Sequence, residues 1–273
     1  MGSTSGTTSS ETDRLAARFR AWRDAGRRAL IPYLTAGYPT PGQTVDLLRR
    51  LEAAGADIIE LGIPFSDPLA DGPTIQRASQ RAMEQGATLA WSLEVLAAFR
   101  AKSDVSVVLF SYLNPILAYG VERFIGDATA AGADGVLITD LPEGADPALE
   151  ERFIASPLSL IRLVAPTTTP ERARAIASRA QGFIYYISRT GVTGARDVLP
   201  PGLEEEVRAL RAVASVPVAV GFGIATAPQA AAVARVADGV VVGSALIDTL
   251  EREGAAAAES FLRGLRAAVD SAA

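Results

Sequence analysis

Asp57 to Pro73 reads DIIELGIPFSDPLADGP, placing Glu60 inside an apolar, strand-like run and Asp67 and Asp71 among Pro64, Pro68 and Pro73. A buried, unpaired carboxylate costs several kcal/mol, so it persists mainly where it is paired or useful. Desolvation raises its pKa, and a carboxyl group titrating near neutrality can both give and take a proton. The other reading of Glu60 is a strand-end carboxylate tied to an arginine or to backbone amides. The prolines stiffen the loop and lower the entropy cost of fixing the two aspartates. Asp67, just before Pro68, fits a turn residue. Asp71, ahead of Gly72, Pro73 and the helical stretch TIQRASQRAM, suits either an active carboxylate or a helix cap.

A second kind of chemistry is written near the C-terminus. VGFGI (220–224) and VVGSALI (241–247) place glycines directly after two apolar runs, and Ser244 is expected to open a helix. Bare backbone and a helix N-terminus offer amide donors to a phosphate, although glycine also serves tight turns for geometry alone. Between these sites, SRTGVTGARD (188–197) reads as a mobile lid or a long surface loop.

Absent residues narrow the options further. The chain has no histidine and no cysteine, which removes Ser-His and Cys-His triads, disulfides and the usual zinc ligand sets. Lys102 is the sole lysine, so Schiff-base chemistry has one candidate, and it precedes its strand. The net charge of −5 and the lack of a basic run give no footprint for nucleic acid or an anionic membrane. The uncharged stretch 212–234 is interrupted by Pro217, Gly221, Gly223, Pro228 and Gln229, which suits strand, loop and small-residue helix better than a membrane span. Residues 1–12 carry no apolar run and are expected to form a flexible tail; with no signal segment, the cytoplasm is the expected compartment.

The elements that must position these residues follow from periodicity. AAGADIIELG (53–62), AAGADGVLITD (130–140) and RVADGVVVGS (235–244) share one cadence, a small-residue helix end stepping into an apolar strand buried on both faces. Further apolar runs bring the expected strands to eight, at 30–34, 57–61, 106–110, 135–139, 159–164, 183–187, 216–220 and 239–242. Amphipathic stretches such as 44–55, 170–180 and 203–214 lie between them. Eight alternating units over residues 13–273 predict a single α/β domain, a (β/α)8 TIM barrel, in preference to an open sheet, whose Gly-rich first turn is missing here. In such a barrel Glu60, Asp67 and Asp71 fall at the catalytic, C-terminal end of the strands.

ELGIPFSDPLADGPTIQRA (60–78), with IPYLTAGYP (31–39), SRTGVTG (188–194), GFGI (221–224) and GSALI (243–247), resembles the tryptophan synthase α subunit family over about residues 30–250. The resemblance implies a barrel enzyme that cleaves indole-3-glycerol phosphate to indole and glyceraldehyde 3-phosphate. It also implies an α2β2 assembly with a β subunit that holds PLP, and no cofactor in this chain. By motif, Glu60 is similar to the family's acid-base glutamate and Asp71 to the aspartate that meets the indole N–H. Tyr185 is similar to a substrate-site tyrosine, Thr193 to the lid threonine, and Tyr33, Tyr112 and Phe222 to pocket-lining residues. Gly194, Gly223, Gly243 and Ser244 match phosphate-binding positions.

Carbon–carbon cleavage of the aldol type ordinarily needs a lysine Schiff base or a metal to hold the electrons. Indole stores them itself once its C3 is protonated, so two carboxylates suffice: Asp71 for the charged N–H, and Glu60 for the C3 proton and then the hydroxyl proton. Rival readings are a stand-alone indole-releasing lyase, a non-catalytic barrel that activates a partner, and a sugar-phosphate isomerase, which would ordinarily want lysine or histidine beside its glutamate.

Overall fold

The computed structural model describes residues 13–188, 201–221 and 223–272, within which eight parallel strands close into a barrel in the order β1 to β8. The strands are β1 (Ala29–Thr35), β2 (Ile58–Gly62), β3 (Ser106–Ser111), β4 (Gly135–Ile138), β5 (Ser159–Val164), β6 (Ile184–Ile187), β7 (Val218–Gly221) and β8 (Gly239–Val242). Helix α1 (Arg14–Asp24) precedes β1, and α2 (Thr44–Ala53) follows it. Next come α3 (Pro73–Glu84), α4 (Leu89–Arg100), α5 (Leu113–Tyr119), α6 (Val121–Ala131), α7 (Pro147–Ile154) and α8 (Pro170–Arg179). The chain closes with α9 (Leu203–Val213), α10 (Ala227–Ala234), α11 (Ser244–Glu253) and α12 (Ala255–Asp270). The expected TIM barrel is therefore present, and the tail expected over residues 1–12 lies outside the described residues. Among those residues no helix is long and apolar enough to cross a membrane.

Period-two alternation decides what each strand shows to the interior. Ile31, Ile58, Val108, Leu137, Ile161, Ala219 and Val241 point into the barrel and pack on one another. Their neighbours, such as Leu30, Ile59, Leu109 and Val240, face the surrounding helices. Leu15 and Phe19 of α1 join the inner cluster and plug the N-terminal end. Two residues beyond Ile58 on the same face comes Glu60, so the alternation itself directs a carboxylate into the barrel, one layer nearer the open end.

The repeated cadence has a structural basis at that plugged end. Asp57, Asp134 and Asp238, each just before an even-numbered strand, accept the backbone N–H of Leu30, Val107 and Val218 on the preceding odd strand at 2.8–2.9 Å. Gln181 does the same for Leu160 ahead of β6. Each aspartate also meets an arginine from the helical layer: Arg266 at 2.7 Å, Arg100 at 3.0 Å and Arg211 at 2.9 Å. Gly55 and Gly132 adopt the left-handed conformation expected at a helix end, and a Cβ on either would stand 2.8 or 2.7 Å from the stem of Arg266 or Arg100. The expected start of β2 at Asp57 moves to Ile58 because Asp57 serves as this clasp. The expected start of β7 at Val216 moves to Val218, since Pro217 has no N–H for the ladder.

Asp134 is 3% exposed and also pairs with Arg14 at 3.0 Å. Asp134→Ala removes the counter-charge of Arg100, whose guanidinium stays bonded to the carbonyls of Gly132, Ser103 and Val105, and leaves the Val107 amide without its acceptor, so denaturant unfolding should show a loss of about 1–3 kcal/mol. The opposite, open end of the barrel should keep its geometry in molecules that remain folded. Lys102 is exposed in the turn before β3, also at the plugged end, as its position before the strand predicts.

Candidate active site

The open end of the barrel holds a cavity of about 320 Å³ lined by Tyr33, Glu60, Phe110, Tyr185 and Val241 from the strands. Asp71, Gly72, Thr74 and Ile75 add the segment after β2, Gly223, Ile224 and Ala225 the segment after β7, and Gly243, Ser244, Ala245 and Asp248 the start of α11. Both candidate carboxylates thus face the same space as the glycines and serine of the C-terminal motifs.

Glu60 pairs in register with Tyr33 and with Val108, and its residue is fully buried. Neither carboxylate oxygen has a hydrogen-bond partner among the described residues. With no cation or donor to favour the charged form, burial alone pushes its pKa from an ordinary 4.5 up to about 8. The reading of Glu60 as a carboxylate tied to an arginine or to backbone amides is thereby set aside. At neutral pH it is a protonated acid with both oxygens unengaged, ready to donate.

Asp71 behaves differently. Burial raises its pKa to about 6, while a hydrogen bond from the Tyr112 hydroxyl pulls in the opposite direction. Around neutrality it is mainly a carboxylate. Its alternative role as a helix cap is ruled out: the N-cap of α3 is Gly72, and no side chain caps that end. Pro73 at the first helical position lacks the N–H that a cap would serve. Asp67 is a surface turn residue whose carbonyl accepts the Leu69 N–H at 2.9 Å, as its place before Pro68 predicts.

Tyr112 is buried beside the loop that carries Asp71. Its hydroxyl donates to the Asp71 carboxylate and accepts the Ala70 N–H at 3.0 Å, with its ring tilted against Phe65 at 5.2 Å. Tyr112 therefore supports the site through Asp71. Tyr33 and Tyr185 do line the cavity, and each leans over a glycine of the next strand. A Cβ on Gly62 would lie 2.1 Å from the Tyr33 hydroxyl, and one on Gly221 would lie 2.2 Å from that of Tyr185. Burial first, then the nearby carboxylates, raise the pKa of both phenols, so both are protonated donors.

Gly223 has φ of +85°, a conformation that favours glycine, and the segment after it is pinned by the capping box of Thr226 and Gln229 at the start of α10. The Gln229 side chain accepts the N–H groups of Ala225 and Thr226 at 2.8 and 3.1 Å. Gly243 is the N-cap of α11 and Ser244 its first residue, as expected. The first amides of a helix have no intrahelical acceptor, so this end presents donors and a partial positive charge to the cavity. The expected sites Thr193, Gly194 and Phe222, and most of the 188–197 loop, lie outside the described residues.

Sequence reading missed Thr74, Ile75, Phe110, Ile224, Ala225, Val241 and Asp248. Asp248 carried a signal, since it lies one helical turn beyond Ser244 and so shares its face. Thr74 and the apolar residues carried none.

Residues 19–271 match the sequence model of a protein family described as the tryptophan synthase alpha chain. The chain is 50% identical over 266 residues to the tryptophan synthase alpha chain of Xanthomonas campestris pv. campestris, covering 95% of this chain and 98% of that one. It is 50% identical over 238 residues to that of Acidiphilium cryptum, covering 87% and 86%. Among solved structures it resembles tryptophan synthase subunit alpha from Legionella pneumophila, with a TM-score of 0.87, 37% identity and coverage of 95% and 99%. A chain of Mycobacterium tuberculosis tryptophan synthase gives a TM-score of 0.86 at 40% identity, covering 94% and 98%. Likeness of this extent, running from α1 to the last helix, makes the chain a member of the tryptophan synthase alpha chain family.

Proposed function

We propose that this chain cleaves indole-3-glycerol phosphate to indole and glyceraldehyde 3-phosphate, with Glu60 as the acid-base group and Asp71 as its anionic partner. The observation that carries this reading is a fully buried, unpartnered Glu60 facing one cavity with Asp71 and the N-terminus of α11. Protonated Glu60 delivers its proton to indole C3. The indole ring becomes a cation whose N–H is stabilised by the Asp71 carboxylate, and the burial of that carboxylate strengthens the attraction. As the carbon–carbon bond breaks, its electrons return to the ring and the C3′ hydroxyl loses its proton, leaving an aldehyde. Glu60, a carboxylate after the first transfer, is the group placed to accept that second proton.

The phosphate falls to Gly223, Gly243 and Ser244, whose backbone amides and helix end suit an anion. Gly194, Phe222 and the lid residue Thr193 complete the binding set by motif. Tyr33 and Tyr185 bound the indole and glycerol portion with protonated hydroxyls, and Tyr112 holds Asp71. No step calls for a cofactor in this chain. The partner is a tryptophan synthase β subunit, carrying PLP, in an α2β2 assembly.

Incubating the purified chain with indole-3-glycerol phosphate should release indole, faster when a β subunit is added. Equal rates with and without the β subunit would favour a stand-alone lyase. No indole in either case would refute the assignment.

A further inference from the structure

Asp71 and the amide donors of α11 enter the cavity on separate elements. Asp71 runs through Gly72 into α3, whereas Gly243 and Ser244 begin α11. The two helices meet at the cavity wall, where the Thr74 hydroxyl donates to Asp248 Oδ1 at 2.9 Å, and both residues line the cavity. Thr74 is three residues past Asp71 and Asp248 is one turn past Ser244, so this contact joins the two halves of the site by a short path. Next to it, Ile75 reaches the α11 end: a Cβ on Gly243 would sit 3.7 Å from Ile75 Cδ1.

Charges back the contact from outside. Arg77, on the next turn of α3, lies 3.8 Å from Asp248 and 3.7 Å from Glu251 of α11. These pairs are exposed and screened, so they add little by themselves. The hydroxyl bond is made between two residues of the cavity wall, and on the same stretch of α3 Gln76 donates to the carbonyls of Asp71 and Pro68 at 2.9 and 3.4 Å, which ties the loop to the helix that carries Thr74.

We propose that the Thr74–Asp248 hydrogen bond is a positioning link that ties the loop bearing Asp71 to the phosphate-binding end of α11, so that an anion seated on α11 fixes where Asp71 stands. This rests on the assignment of the substrate phosphate to Gly243 and Ser244. Thr74 and Asp248 touch no reacting atom in it; they set the distance between the group that anchors the substrate and the group that meets its ring. Positioning errors of about 1 Å can cost 100-fold in rate, so a loosened link should appear in turnover before it appears in binding.

Thr74→Val keeps the shape and loses the donor, while Thr74→Ser keeps the donor. Thr74→Val should lower kcat by about 10-fold with KM within about 2-fold of wild type, and Thr74→Ser should stay close to wild type. Glycerol 3-phosphate, a probe carrying only the phosphate portion, should bind both wild type and Thr74→Val by calorimetry. In hydrogen exchange it should protect residues 64–76 in wild type and fail to do so in Thr74→Val. Unchanged kcat in Thr74→Val, equal impairment in Thr74→Ser, a rise in KM alone, or the same protection in both proteins would overturn the link. Failure of glycerol 3-phosphate to bind wild type would instead remove the phosphate assignment and the link with it, and a chain that binds and protects yet releases no indole would refute the proposed reaction alone.

Discussion

Glu60→Gln should lower turnover by at least about 100-fold, the low end for loss of a general acid-base group, while glycerol 3-phosphate still binds. The amide has almost the shape of the protonated acid, so the cavity persists, but it has no proton to deliver to carbon. The same substitution should stabilise the protein, with a definite pH dependence. Burial raises the Glu60 pKa from 4.5 to about 8, so between those values the unfolded chain releases a proton that the folded chain retains. Wild-type stability attributable to this group is therefore fully present below about 4.5 and is lost as pH rises through about 8, a change on the order of 5 kcal/mol. Glutamine has nothing to ionise. The excess melting temperature of Glu60→Gln over wild type should thus be near zero at pH 5 and grow toward pH 9. Turnover retained in the variant would take Glu60 out of the mechanism; a flat stability difference across that range would show that Glu60 is not held as a buried acid.

Much of this arrangement was legible because periodicity and chemistry disagreed at one position. In DIIELG, the face that carries Ile58 must carry Glu60, and an acid on a barrel's inner face must be either neutralised or used. The eight-strand count was legible for the same reason, since runs buried on both faces stand out against amphipathic helices. The aspartates of the repeated AAGAD and VAD segments were visible too, but their clasp on the preceding strand was not. Asp57 meets Arg266 across 209 positions, a distance at which spacing says nothing. Thr74 and Asp248, 174 positions apart, were illegible on the same ground. Asp71 was ambiguous because Asp-Gly-Pro ahead of a helix satisfies the local rules for a cap as well as those for a constrained active carboxylate. Only the placement of Gly72 as N-cap and of Tyr112 against the carboxylate separates the two. The motif marks Tyr112 near the site without showing that its hydroxyl meets Asp71.

That separation makes Asp71→Asn the more discriminating of the two carboxylate substitutions. Asparagine keeps an oxygen to accept from the Tyr112 hydroxyl, and the Tyr112 hydroxyl still accepts the Ala70 N–H, so the loop should keep its course. The substitution removes only the charge that meets the cationic ring, and kcat should fall by about 100-fold or more, as for other single groups aimed at developing charge. Stability at pH 7 should not fall. Because burial raises the Asp71 pKa from 3.8 to about 6, ionising it already costs the wild-type fold as pH rises through that interval, and the neutral amide escapes the cost. A true N-cap would behave in the opposite way, losing about 1 kcal/mol on replacement by a weaker cap. The pH profile supplies an independent check. The substrate's phosphate also titrates near 6, so the acid limb of kcat/KM in wild type mixes two groups. Dividing the wild-type profile by that of Asp71→Asn cancels the phosphate, and the ratio should rise with pH through a midpoint of about 6 and level off about two pH units higher, where Asp71 is fully charged. A ratio independent of pH would mean that the charge of Asp71 does not act on the reacting ring, and a melting temperature well below wild type at pH 7 would return the residue to a structural role.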